Sequence, residues 1–146
     1  MIAVDTNLLV YAHRPECPLH DEARSCIAGL AESGRPFGIP MHCLVEFSGV
    51  VTHPKIWKQP SSSREVADQV SAWTEAPSLR LLAEEPPFWA VFIETVAAAK
   101  VTAGAVHDAR IAAACRYHGV TELWTADRDF SRFVWLRVRN PLVAAP

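Results

Sequence analysis

Ile2-Ala3-Val4-Asp5-Thr6-Asn7-Leu8-Leu9-Val10-Tyr11-Ala12 is the stretch whose reading decides the fold. The apolar triplet Ile2-Ala3-Val4 reads as a short buried strand, and the run from Leu8 reads as the start of a helix. Together they form a βα unit with a carboxylate at the strand's C-terminal end. In open parallel sheets, ligands bind in the crevice outside the strand C-termini. Asp5 is expected at that crevice. Asp, Thr and Asn also favour helix N-caps, so this stretch alone leaves a capping role equally open.

Further along, strand and helix patterns alternate. A helix is expected from about His20 to Ala31, with Ala23, Ile27 and Leu30 on one face and Ser33-Gly34 as its stop. Phe37 to Pro40 has room for only a short strand. Met41 to about Thr52 reads as a helix with Cys43, Glu46, Phe47 and Val50 along its inner stripe. His53 to Ser61, interrupted by Pro54 and Pro60, is irregular. Ser62 followed by Glu65 is a capping-box pattern, opening a helix to about Thr74 with Val66, Val70 and Trp73 inward. Leu79 to Leu82 suits a buried strand. Pro87, at a first helical position, opens a helix to about Lys100 whose apolar face is Trp89, Phe92, Ile93 and Val96. Thr102 to Gly104 breaks it. The next helix spans about Val106 to His118 and stops at Gly119. Short strands at Leu123 to Thr125 and Val134 to Val138 close the pattern. The alternation predicts an α/β three-layer sandwich around a mostly parallel, five-stranded sheet, built as one domain over residues 1–146.

Half of the residues are hydrophobic and 21% are charged, as in ordinary globular proteins. No apolar run approaches the ~20 residues needed to span a bilayer, and the first residues do not read as a signal peptide. Cys17, Cys26, Cys43 and Cys115 show no C-x-x-C spacing and are expected to be reduced thiols of a cytoplasmic protein. The formal charge of −2 exerts no global pull on nucleic acid. From Asp108 onward, however, six arginines accompany four acids, so that segment is locally basic.

Its acids are the informative residues. Ile111, Ala112 and Cys115 follow Asp108 at helical spacing, so Asp108 shares their buried stripe, as Glu46 shares that of Cys43, Phe47 and Val50. Burying an unpaired carboxylate costs several kcal/mol, and neither stripe contains Lys or Arg. With Asp5 and Asp127 at strand ends, one carboxylate cluster is expected, and clustered carboxylates repel unless a metal sits between them. Oxygen donors without tetrahedral Cys/His spacing favour Mg²⁺ or Mn²⁺ over zinc. Taken singly, Asp108 suits a helix N-terminus, and Asp127 and Asp129 suit a turn. Their joint occurrence favours the metal site.

These motifs carry a resemblance. Asp5-Thr6-Asn7 with Leu8 to Arg14, Glu46-Phe47 with Val50 to Pro54, His107-Asp108-Ala109 with Ile111 to Ala113, and Thr125 to Phe130 with Arg132-Phe133 and Asn140-Pro141-Leu142 occur in this order. The ordered set resembles PIN-domain proteins, specifically the VapC-type toxins of bacterial toxin–antitoxin pairs. The resemblance implies a Mg²⁺-dependent endoribonuclease, usually a homodimer, silenced by a small VapB-like antitoxin. It implies Asp5, Glu46, Asp108 and Asp127 as metal-binding and catalytic acids, Asp129 as an assisting acid, and Thr6, Asn7 and Thr125 as residues lining the site. Two positions depart from the pattern: Gly49 stands where relatives often carry Arg, and Ala105 lies near an expected Asn.

For RNA contact, Arg14, Lys55, Trp57, Lys58, Arg110, Arg128 and Arg132 are the candidates, because cations neutralise phosphates and an aromatic ring stacks an unpaired base. Trp57 equally suits a loop anchor. His13, Cys17 and His20 form a loose zinc alternative that needs a fourth ligand from His42, Cys43 or His53. Two rival functions differ in chemistry. A non-catalytic PIN-like module would bind RNA or protein without cleaving. A haloacid-dehalogenase-type phosphatase needs Asp-x-Asp, whereas residue 7 is Asn. The apolar surplus, five tryptophans included, suits a dimer or antitoxin interface.

Overall fold

The computed structural model describes residues 1–143 and contains five parallel strands in the spatial order β3-β2-β1-β4-β5. These are β1 (Ile2–Val4), β2 (Phe37–Pro40), β3 (Leu79–Leu82), β4 (Glu122–Trp124) and β5 (Arg137–Arg139). Helices α1 (Thr6–His13) and α2 (His20–Glu32) join β1 to β2. Helices α3 (Met41–Val51) and α4 (Ser63–Thr74) join β2 to β3, and α5 (Phe88–Ala99) and α6 (Ala105–Tyr117) join β3 to β4. A 3-10 helix (Arg128–Arg132) leads to β5. With the right-handed crossovers that parallel sheets adopt, the reversal of direction after β3 puts the α1–α4 group and the α5–α6 pair on opposite faces of the sheet. The last three residues of the expected 1–146 domain lie outside the described residues.

The chain moves outward one way from β1 to β2 and β3, then returns past β1 to build β4 and β5. The switch point therefore lies between β1 and β4, where the two loops diverge and open a crevice. Ala3 pairs with Leu123 and Val4 with Trp124, and the Asp5 N–H donates to the Trp124 carbonyl at 3.0 Å. This register brings the residues just beyond both strands side by side.

Local chemistry accounts for the element ends. Ser62 and Glu65 form a reciprocal capping box at α4. Gly119, at φ +66°, ends α6: its N–H reaches the Arg116 carbonyl and the Val120 N–H reaches that of Cys115. Gly38 lets β2 pass close to β3, since a Cβ there would stand 2.9 Å from Leu82.

Four expectations need correction. β3 is an edge strand with Arg80 and Leu81 exposed, so it is not fully buried. Trp89 and Ile93 of α5 point outward at 63% and 47% exposure, while Phe88 and Thr95 are buried. Thr95 tolerates this because its hydroxyl donates to the Val91 carbonyl. Pro87 precedes α5 as its N-cap and is not the first helical residue. The last strand starts at Arg137, and Val134 is 93% exposed ahead of it. Among the described residues, no helix is long and apolar enough to cross a membrane.

Candidate active site

Asp5, just beyond β1, is only 4% exposed. Its Oδ1 accepts the Thr6 N–H at 2.7 Å, which also caps α1. Its Oδ2 accepts from Asn7 Nδ2 and Thr125 Oγ1, each at 2.6 Å. The Cys43 thiol approaches Oδ1 at 3.9 Å, so each oxygen meets two donors. Asp5 nevertheless lines the crevice while it caps α1, so the two roles are compatible. Thr125, just beyond β4, ties the two strand ends together. It also accepts from Asn7 Nδ2 and from the Asp127 N–H. Asn7 Oδ1 in turn accepts the Ala126 N–H at 3.0 Å.

Glu46 reaches this network from α3, accepting the Thr6 hydroxyl at 2.6 Å. Asp108 stands half-buried in the first turn of α6, and Asp127 caps the 3-10 helix by accepting the Asp129 N–H at 2.8 Å. Asp5, Thr6, Asn7, Glu46, Asp108 and Asp127 line one pocket, walled by apolar groups such as Val50 and Phe130. No Lys or Arg lines it.

This crowding perturbs the acids. Burial pushes the Asp5 carboxyl up to about 6, against the hydrogen bonds from Thr125 and Thr6, and the charges of Glu46 and Asp127 raise it further. Asp108 is raised as well, by burial first and then by Asp127, with Arg132 opposing. The all-oxygen donor set and the raised acids suit a hard divalent cation. Among the described residues, no three Asp, Glu, His or Cys side chains already form a closed metal cage. The four carboxylates line the pocket without being drawn together into a preassembled cage.

Other candidates sort differently. Asp129 is exposed, does not line the pocket, and faces Arg132 at 3.6 Å. Arg14 is 6% exposed and holds Ser61 Oγ, the Gln59 carbonyl and Glu16, with its guanidinium 4.3 Å from the Trp57 ring centroid. Trp57 donates its indole N–H to the Val50 carbonyl. Arg14 and Trp57 therefore anchor the loop between α3 and α4, the alternative that the sequence left open for Trp57. Arg110 grips Glu84 through two hydrogen bonds of 2.6 and 2.7 Å. Lys55, Lys58 and Arg128 are exposed. His13 bonds Gln69 and Ser61, His20 bonds the Tyr11 carbonyl, and all four cysteines are free, so these groups form no zinc cluster among the described residues.

One feature escaped the sequence reading. His42 stacks on His107 with centroids 5.6 Å apart and planes 6° from parallel. The available signal was positional: His42 precedes Glu46 by one helical turn, and His107 adjoins Asp108.

The PIN domain family profile matches residues 2–136. The chain belongs to the PIN domain family. Ribonuclease VapC43 of Mycobacterium tuberculosis is 34% identical over 142 residues, spanning 97% of this chain and 96% of its own. Ribonuclease VapC48 of the same organism is 28% identical over 137 residues, 94% of each chain. Two solved structures share the fold at a TM-score of 0.70. Mycobacterium tuberculosis VapC20, described as a sarcin-ricin loop cleaving toxin, is 17% identical and covers 95% of this chain and 99% of its own. The FitAB complex bound to a DNA fragment contains a chain 18% identical, covering 100% of this one and 99% of its own.

In this PIN domain the two departures fall at different places. Gly49 is exposed, with open space where a side chain would stand, whereas Ala105 is the half-buried first residue of α6. Neither residue lines the acid pocket.

Proposed function

We propose that this PIN domain is a Mg²⁺- or Mn²⁺-dependent endoribonuclease and the toxin of a toxin–antitoxin pair. It cuts RNA phosphodiester bonds to leave 5′-phosphate and 3′-hydroxyl ends. Four carboxylates around one pocket that no Lys or Arg lines are the observation that carries this reading. Asp5 and Asp108 are the direct ligands, with Glu46 and Asp127 binding directly or through water. When bound, the ion activates a water and neutralises charge on the phosphoryl oxygens.

The chain's own groups do the positioning. Thr6, Asn7 and Thr125 lock both oxygens of Asp5, and the Cys43 thiol is a longer fourth donor at 3.9 Å that a bound cation would displace. The Thr6 hydroxyl holds Glu46 in place. Asp129 assists by fixing Asp127 through its backbone N–H, and by adding negative charge near Asp108. Lys55, Lys58, Arg128 and Arg132 are the cations left to meet RNA phosphates, with Arg110 preorganised by Glu84. The relatives' names support a VapB-like antitoxin as protein partner, and the resemblance to VapC-type toxins implies a homodimer as the working form and action in the cytoplasm.

A non-catalytic PIN-like module is the second reading, favoured by the absence of a preformed three-donor cage among the described residues. Assays of single-stranded RNA and a small phosphate ester, each with Mg²⁺ or EDTA, separate the two. RNA cleavage that requires Mg²⁺ and disappears in Asp108→Asn is expected. Metal-dependent binding without cleavage supports the module, and hydrolysis of the small ester alone contradicts both.

A further inference from the structure

Helix α6 serves two depressions. Asp108 and Ile111 line the acid pocket, while the neighbouring His107 and Arg110 line a second depression with Glu84, Phe88, Trp89 and Phe92. Successive helical residues point about 100° apart, so the two depressions adjoin around one helix. His107, on the wall of the second depression, stacks on His42, one helical turn before Glu46 of the acid pocket. Glu46, from the acid pocket, and Arg110 and Glu84, from the second depression, all act electrostatically on His42.

The second depression combines aromatic surface with a fixed polar edge. Phe92 lies within 5.2 Å of Trp89, centroid to centroid, and 6.1 Å from Phe88, and Trp89 is 63% exposed. Glu84 engages two guanidinium N–H groups of Arg110 and holds its plane, leaving three of the five donors free. An oriented guanidinium matches two adjacent acceptors, the pattern guanine presents at O6 and N7. An exposed ring stacks an unpaired base of any sequence. RNA entering the acid pocket continues on either side of the phosphate being cut, and its splayed bases require such surfaces.

We propose that this depression is a nucleobase subsite, in which a base flanking the scissile phosphate, guanine by preference, stacks on Trp89 and is read by Arg110. The proposal rests on the ribonuclease reading above and extends it to substrate choice. A library of randomised single-stranded RNA, cut by the full chain in Mg²⁺ and sequenced at its new ends, tests it. Wild type is expected to enrich guanine at one fixed offset from the cut. Arg110→Gln flattens that enrichment, and Trp89→Ala raises KM by about tenfold. Arg64→Ala, on the exposed face of α4, changes neither. Enrichment retained in Arg110→Gln, absent in wild type, or a KM unmoved in Trp89→Ala overturns the subsite.

Failure of the nuclease reading is distinguishable from failure of the subsite. If wild type cuts no RNA, anisotropy with guanine-containing and guanine-free octamers on Asp5→Asn decides the matter. Tighter guanine binding that Trp89→Ala weakens sustains the subsite, and equal or unchanged affinity overturns it. Sedimentation gives the last check: a dimer that Trp89→Ala dissociates assigns this face to a second copy and also overturns the proposal.

Discussion

Asp5 bears most directly on the chemistry, and its raised pKa makes a signed prediction. An acid whose pKa rises on folding stabilises the fold below its unfolded pKa and loses that contribution as pH climbs through the folded value. For Asp5 the window runs from 3.8 to about 6, a displacement worth about 3 kcal/mol. Asp108 acts in the same direction. Urea unfolding in EDTA is therefore expected to show stability falling across that window, with a shallower fall in Asp5→Asn. Identical slopes in the two proteins would contradict the burial account of Asp5. Arg14 gives a second residue-scale prediction. It is buried with its Nε unpartnered, yet it holds Ser61 and Gln59. Arg14→Ala is expected to lose about 2 kcal/mol and to speed amide exchange across residues 53–61, measurable by denaturation and hydrogen exchange. An acid on an apolar stripe is anomalous in the sequence itself, which is why Glu46 and Asp108 were legible. The burial of Arg14 was not, because its partners Gln59 and Ser61 lie 45 and 47 residues away.

Caps and turns made the elements readable where local chemistry governs them. The capping box at Ser62 and the left-handed Gly119 both stand where their residue types place them. Ser62→Ala is expected to cost about 1 kcal/mol in thermal or chemical unfolding. Helix α5 was legible in extent but not in orientation. Phe88, Trp89, Val91, Phe92, Ile93 and Val96 surround the helix with apolar groups, so periodicity cannot choose its inner face. Burial of Thr95 is made tolerable by its hydrogen bond to the Val91 carbonyl one turn earlier, which periodicity does not reveal. The backbone conformation that ends α5 escaped reading, although the position of that end did not. Lys100 and Ala103 take φ +51°, conformations that glycine adopts without strain, whereas the nearby Gly104 does not need one. Lys100→Gly is expected to raise stability by about 1 kcal/mol, and an unchanged or lower melting temperature would argue against strain at that turn.

On the scale of the whole molecule, sheet order determines what the acids can do together. Because β1 is central and the connections reverse between β1 and β4, the loops carrying Asp5 and Asp127 open onto one crevice. Helices α3 and α6 then bring Glu46 and Asp108 to the same opening. The alternation of strands and helices implied a parallel sheet, but its order depends on pairing between β1 and β4, more than 100 residues apart, which no local pattern encodes. Close β2–β3 packing depends on Gly38, and Gly38→Ala is expected to cost about 1–3 kcal/mol by overpacking against Leu82.

The convergence of these acids is the central claim, and their joint use in cutting RNA is tested most directly by sequencing cellular RNA ends after expressing wild type and Asp5→Asn side by side. New 5′-phosphate ends at discrete positions, present with wild type and absent with the folded Asp5→Asn protein, are the predicted result. Identical end profiles from the two proteins would contradict it.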